Sequence, residues 1–482
     1  PKVGMPLFFD LIGRNNQSKF YLGLNIPTIV GDVIHLFRHT HDQRHICRRA
    51  GLQPSGIGSH IAIGQLINGN LLRRLTVGDG VLHLFFAIGG DNATQQIIAI
   101  DEFARSQNWA GRRINLDKTP VRGNGEVKII NPSDNTILYR NSFSSLFQEW
   151  LTTDEANTTT KSFEFTQLVP FPKQEVIIET SLLSNKGEQQ AILRHKLSPD
   201  DKLIRSLDNR AIVPHEYLLQ SGSSEECIDI AIMAEGYTQE QMELFMQDAR
   251  TACDEIMRYE PFASHRDKFN VVAVKCSSIQ SDVSVPQNGV WKQTAVNSNF
   301  MTFYSPRYLT TNSVHLIHDN LIGVPYEHLI ILANTDTYGG GGIYNSYTLT
   351  TAHNPYFKPV VVHEFGHSFG ALADEYFYEQ PDHTENFYSL DYEPWEQNIT
   401  SLVDFESKWK DMLPKKTVIP TEPTQKREKN YIVGVYEGGG YMTKGMYRPA
   451  VICRMRDNVA TQFCPVCQRA IEKIILFNTQ AE

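Results

Sequence analysis

Two histidines one helical turn apart constrain this chain more than any other feature. His363-Glu364-Phe365-Gly366-His367 lies inside KPVVVHEFGHSFGALADEYF, residues 358–377. The spacing predicts a helix, because positions i and i+4 share one helical face. Both imidazoles can then aim a ring nitrogen at a single cation. Glu364 stands beside them, where a carboxylate can take a proton from a water that the cation activates. Pro359, Val360, Val361 and Val362 lead in, and Gly366 is small enough for close packing, so a buried helix is expected. The plainer alternative is a chance match on an ordinary helix. With 16 histidines in 482 residues and an apolar lead-in, that alternative is the weaker one.

The rest of the chain narrows the class. Its length allows two or three domains and a sizeable core. A net charge of −9 argues against nucleic-acid binding, which needs a basic surface. No run approaches the apolar length of a membrane span. The stretch MPLFFDLI near the start is short and interrupted by Asp10, so no signal peptide is expected there. Seven cysteines in 482 residues do not make a disulfide scaffold.

Periodicity predicts an α+β multidomain protein. Residues 1–75 carry no sustained period and are left as an unassigned extension. Residues 76–205 contain short β-rich runs such as VLHLFFAI, EVKII, TILYR, SFEFTQLV and QEVIIETSLL, separated by turn residues. They read as an all-β, sandwich-like domain. DEFARSQNWAGRR within it reads as a short helix or loop with Trp109 packed. Residues 206–482 read as an α/β domain opened by a linker, Leu207 to Gly222. ECIDIAIMAEGY, KFNVVAVKC and HLIILAN are buried strands there, and QEQMELFMQDARTACDEIM and SVHLIHDNLIG are helices. GGIYNSYTLTTA is an irregular edge strand expected to hold extended peptide near Ile343 to Thr350. PKKTVIPTEPTQKREKN is an exposed loop, and PVCQRAIEKIILF a closing amphipathic helix with Pro465 in its first turn.

A catalytic zinc needs three protein ligands and one open position. In the metzincin pattern HExxHxxGxxH/D, a glycine turns the chain and the third ligand follows three residues later. Gly370 stands at the glycine position, but Ala373 occupies the ligand position and cannot bind metal. Asp374 is the expected third ligand if the turn is one residue longer, with Glu375 in reserve. The plainer alternative for either acid is a surface carboxylate or a partner to a histidine. Met455 lies where metzincins put a methionine turn beneath the zinc, although a core methionine is the bland reading. Cys464 and Cys467 form a single CxxC near Cys453, and a disulfide or buried thiols are expected in preference to a second metal. The runs Gly339–Gly342 and Gly438–Gly440 lack the Lys-Ser or Lys-Thr of a phosphate loop and suit close backbone approach at the cleft. His353 reads as a structural histidine. No G-x-S-x-G element supports a serine hydrolase.

LLQSGSSEECIDIAIMAEGYT, ILANTDTYGGGGIYNSYTLTTAH, VVVHEFGHSFGALADEYFY, EPWEQNIT, GVYEGGGYMTKGMYRPAVICRMR and FCPVCQRAIE span roughly residues 215 to 478. On these motifs the chain resembles the immunoglobulin A peptidase family of zinc metallopeptidases. Residues 76 to 205 resemble the β domain that precedes the catalytic domain in related proteins. The resemblance implies a metzincin-like catalytic domain and a secreted, cell-surface or periplasmic endopeptidase with one catalytic Zn²⁺. It implies His363 and His367 as ligands, Glu364 as general base and Asp374 as third ligand. Its partner would be a protein or peptide substrate, host glycoproteins among the candidates. The Met-x-Tyr element of some metzincins is absent, since Asp457 takes that place; Tyr441 and Tyr447 are the alternatives. The competing reading is a surface binding module for glycoproteins with a structural zinc.

Overall fold

The computed structural model describes residues 77–482 apart from 93–94, 185, 379–386, 424–430 and 482. The extension 1–75, Cys47 and the end of the 414–430 loop therefore lie outside the described residues.

The first region contains two four-stranded sheets. One has the order β5 (Lys161–Pro172), β1 (Val77–Gly90), β2 (Ile97–Ser106), β8 (Arg205–Ser206); the other β4 (Ile137–Phe143), β3 (Gly125–Ile130), β6 (Val176–Leu183), β7 (Gln189–Leu197). Leu84, Phe86 and Ile88 from the first sheet and Val127, Ile129 and Ile178 from the second share one hydrophobic core. Two sheets closing over one core make the sandwich-like packing that alternating strands favour. Asp101 to Ser106, expected as helix or loop, instead extend β2. The expectation failed because β2 pairs with a long neighbour, whose ladder outweighs the polar composition of DEFARS. Trp109 is packed. A short helix, α1 (Leu146–Trp150), follows β4.

The second region is built on a six-stranded sheet of order β13 (Gly340–Ile343), β14 (Tyr347–Thr351), β12 (His328–Ala333), β10 (Ile228–Glu235), β11 (Phe269–Val274), β9 (His215–Gln220). β10 is parallel to β11 and β12, and β12 to β14; both edge strands are antiparallel. All eight positions of β10 are buried. A strand covered on both faces reads as a continuous apolar run, as this one does. Its alternate residues feed two cores: Ile230, Ile232 and Ala234 enter one, Ala231 and Met233 the other. Helices α2 (Met242–Met257), α4 (Phe357–Ser368) and α5 (Pro465–Thr479) cover the first face, and α3 (Val314–Asn320) contributes to the second. A hairpin of β15 (Tyr436–Gly439) and β16 (Met442–Arg448) completes the region.

Two expectations are corrected here. The stretch 207–222 is more than a linker, because His215–Gln220 forms the edge strand β9. GGIYNSYTLTTA is a hairpin rather than one edge strand. Its second arm, β14, is enclosed between β13 and β12. The intervening turn is occupied too: the Tyr344 carbonyl accepts the Ser144 N–H at 3.0 Å, and Asn345 Nδ2 donates to the Ser142 carbonyl at 2.7 Å. Residues 344 to 350 thus have no free edge for an added peptide strand, and the outer edge of this sheet is β13, Gly340–Ile343. A tight turn at Tyr344, Asn345 and Ser346, with Asn345 at φ 50°, folded the run back on itself.

Candidate metal centre

Helix α4 carries the motif and is held from several sides. Val361, Val362 and Phe365 sit in the principal core. A Cβ added at Gly366 would lie 2.6 Å from Met455 Sδ, so the fully buried Met455 packs directly against the helix at this glycine. The glycine run before the hairpin serves the same helix. A Cβ at Gly340 would meet Glu364 Oε1 at 2.8 Å, so the close approach anticipated for these glycines is to the carboxylate itself.

The helix ends in a left-handed cap. Ala371 has φ 53°, and its N–H bonds the His367 carbonyl at 3.1 Å. That residue is usually glycine. Gly370 does not adopt the positive angle; a Cβ there would meet the Gly366 carbonyl at 2.7 Å. The reversal therefore falls one residue after Gly370, and an irregular segment carries Asp374 back beside the histidines.

Three atoms converge beyond this turn. His363 Nε2 and His367 Nε2 are 3.1 Å apart, and Asp374 Oδ1 is 3.0 Å from the first and 3.3 Å from the second. Each imidazole is oriented from behind. His363 Nδ1 bonds the Arg454 carbonyl at 3.0 Å and His367 Nδ1 the Leu372 carbonyl at 2.6 Å. With Nδ1–H committed to a carbonyl, a neutral imidazole presents a bare Nε2 inward. Asp374 Oδ1 is buried without a hydrogen-bond partner. Three lone pairs pointing at one another are unfavourable unless a cation lies between them. A tetrahedral zinc with Zn–N of about 2.1 Å separates its nitrogens by about 3.4 Å, close to what is seen. The residues fit a metal ion.

The electrostatics favour a positive charge at this point, supplied by a proton on His367 when no ion is bound. Burial pulls the His367 imidazole down, but the Asp374 carboxylate beside it prevails and pushes it up to about 9. Asp374 is desolvated, yet the two imidazoles hold it well below the usual carboxylate range. Glu364 is raised, chiefly by burial, with the imidazoles opposing. The histidine side chains remain 14% and 16% exposed, so the centre opens on one side.

Of the two consecutive acids, Asp374 is the one beside the imidazoles. Glu375 turns the other way: its Oε1 is 3.0 Å from Cys467 Sγ. Tyr441 donates its hydroxyl to Asp374 Oδ2, whereas Tyr447 packs against the principal core. His353 is engaged by Asp248 at 2.9 Å. Cys453, Cys464 and Cys467 form no disulfide, which corrects one of the two alternatives read from the sequence. Cys453 Sγ and Cys467 Sγ are 3.7 Å apart, far from the roughly 2.05 Å of a sulfur–sulfur bond.

Several contributors have no local sequence signal. Asn398, within EPWEQNIT, clamps the ligand strand: it exchanges two 2.8 Å bonds with the Ala373 backbone and donates to Glu375 at 3.1 Å. Arg307 stacks on Tyr376 and Tyr378 at 5.6 and 5.8 Å. Glu149 of α1 is half-buried, bonded by the Tyr308 hydroxyl and pushed up to about 7 by desolvation, with His367 and Glu364 in electrostatic range.

A family model described as IgA Peptidase M64 matches residues 217–432 and 424–475, more than half of the 482 residues. The chain belongs to this peptidase family. A second model, Peptidase M64 N-terminus, matches residues 76–194. The protein is therefore a peptidase, a hydrolase whose substrates are proteins or peptides. The family's N-terminal part coincides with the two-sheet region, and the principal match contains the His-His-Asp cluster. No curated protein matches the chain. No helix among the described residues is long and apolar enough to cross a membrane.

Proposed function

We propose that the chain is a zinc-dependent endopeptidase acting on extracellular proteins, host glycoproteins among them, with a metzincin-like centre. His363, His367 and Asp374 would hold the ion, Glu364 would be the general base, and Met455 would be the methionine beneath the site. The convergence of two bare imidazole nitrogens and an unpartnered carboxylate oxygen carries this reading. When bound, zinc supplies Lewis acidity, polarising a scissile carbonyl and acidifying water.

The chain's own residues do the rest. Glu364 accepts the proton of the attacking water and returns it to the leaving amine, so that the peptide C–N bond breaks with charges balanced. Burial raises the carboxylate above its usual range, which makes it a stronger base. Gly340 leaves the space the carboxylate needs. The carbonyls of Arg454 and Leu372 hold the imidazole tautomers, and Tyr441 fixes the orientation of Asp374. The opening on one side favours catalysis over a purely structural ion, which uses a closed shell.

The test is Glu364→Gln in the full chain, measured by zinc content and by cleavage of an unbiased peptide library with and without chelator. Zinc retained with turnover lost is expected. Full activity in the variant would sink the base assignment, and chelator-insensitive cleavage would sink the metal reading.

A further inference from the structure

A second cluster lies behind the first. The ligand-capable atoms of Glu375, Cys453, Cys464 and Cys467 all fall within 4.8 Å of one another, and all four residues are buried. Glu375, Cys453, Cys464 and Cys467 each have 0% exposure, whereas the imidazoles in front retain access to solvent. We propose that these four side chains form a closed, structural metal site for a thiophilic divalent ion such as zinc, separate from the peptidase centre.

The distances fit. A tetrahedral zinc with Zn–S near 2.3 Å and Zn–O near 2.0 Å puts its sulfurs about 3.8 Å apart and its sulfur and oxygen about 3.5 Å apart. Cys453 and Cys467 Sγ are 3.7 Å apart, and Glu375 Oε1 lies 3.0 Å from Cys467 Sγ and 3.9 Å from Cys464 Sγ. The surroundings suit anionic sulfur. The Cys464 N–H points at Cys453 Sγ at 3.2 Å. Cys464 is the N-cap of the 15-residue α5 and Cys467 lies in its first turn, where the helix presents its positive end. The guanidiniums of Arg448 and Arg456 are within electrostatic reach of Glu375 and offset the excess negative charge. Without an ion the arrangement is poor. Beyond the Asn398 amide on Oε1, Glu375 faces only thiols, which are weak donors, and its Oε2 has no hydrogen-bond partner.

The position gives the ion a purpose. Asp374 and Glu375 are consecutive, so an ion on Glu375 anchors the strand that supplies Asp374. Cys453 is two residues before Met455, whose carbonyl accepts the Glu375 N–H at 2.8 Å. One ion would join three segments: the strand after α4, the loop holding Met455 and the start of α5. Binding replaces up to three thiol protons by metal–sulfur bonds and releases those protons to solvent, with no redox change.

The experiment counts metal in the full chain, produced with zinc and purified without chelator. Elemental analysis of the unaltered protein is compared with a His363→Ala/His367→Ala variant, which leaves every residue of the closed cluster in place. Two ions falling to one is the expected result. One ion in both supports the closed site and rejects the proposed catalytic ion. One ion falling to none, or none in either, overturns the closed site. Cobalt-loaded His363→Ala/His367→Ala protein supplies a second readout. Thiolate-to-cobalt charge-transfer absorption, lost in Cys464→Ser/Cys467→Ser, is expected; its absence, or a disulfide between any two of these cysteines in the purified protein, overturns the assignment.

Discussion

Asp374 and Glu375 are neighbours in the chain, yet they serve clusters of opposite character. Asp374 joins two imidazoles in a centre that is open on one side and has three candidate ligands. Glu375 joins three cysteines in a cluster that is fully buried and has four. The two consecutive side chains leave an irregular segment in different directions, so one segment supplies both. The contrast teaches that ligand number and solvent access, rather than ligand type alone, separate a centre suited to chemistry from one suited to holding segments together.

The comparison can be broken most directly at the two acids. On the proposed zinc reading, Asp374→Ala should lower turnover by about 10³-fold or more, because a Lewis-acid contribution is worth several kcal/mol. It should also empty the open centre while leaving the Glu375 cluster's metal content unchanged. Glu375→Gln should instead weaken the buried cluster and lower the thermal midpoint, with turnover reduced less than in Asp374→Ala. Equal effects of the two substitutions on both metal content and turnover would show one coupled site instead of two.

Gly340→Ala sharpens the account of the open side. The new methyl would meet Glu364 Oε1, Cγ and Cδ at 2.8 to 3.0 Å. Displacing a catalytic group by about 1 Å costs on the order of 10²-fold. The loss should appear in kcat, with metal content intact. Tyr441→Phe removes only a hydrogen bond to Asp374 Oδ2. Loss of such an outer partner typically costs about 10-fold or somewhat more in metal affinity, and competition with a fluorescent chelator would measure it.

The histidines offer a gentler version of the same contrast. His367, beside an acid, is raised, whereas His83, His318 and His328 are lowered to about 4, 3 and 4 by burial. The unfolded chain binds protons at these three positions below the ordinary value of 6.5, and the folded chain does not. Their contribution is therefore intact above pH 6.5 and is lost as pH falls toward 4. Each should cost up to about 1.4 kcal/mol per pH unit across that window. Urea midpoints measured from pH 7 to pH 4.5 would check the slope, and His318→Gln should flatten it.

Much of the site was legible because its signal is local. A helical i, i+4 pair and the acid next to it sit within five residues, and Asp374 is seven residues beyond His367. The choice between Asp374 and Glu375 was not legible. It depends on where the chain reverses, and the left-handed residue is Ala371 rather than Gly370. The buried strands Ile228–Glu235 and His328–Ala333 were readable as apolar runs. The edge strand His215–Gln220 and the Asp101 end of β2 were not, because a half-exposed strand owes its form to its neighbour's ladder. The hairpin at residues 340–351 was read as one strand because four glycines and a turn of Tyr344, Asn345 and Ser346 leave little periodicity.

The sequence by itself determined the two imidazoles, the adjacent acid and the alternation of apolar runs, since each follows from spacing along a regular backbone. Only the tertiary structure decided that Arg454 and Leu372 carbonyls turn the imidazoles inward, that Met455 fits beneath Gly366, and that three distant cysteines meet Glu375. Those contacts join residues up to 92 positions apart, and no local period records which distant surfaces will pack together.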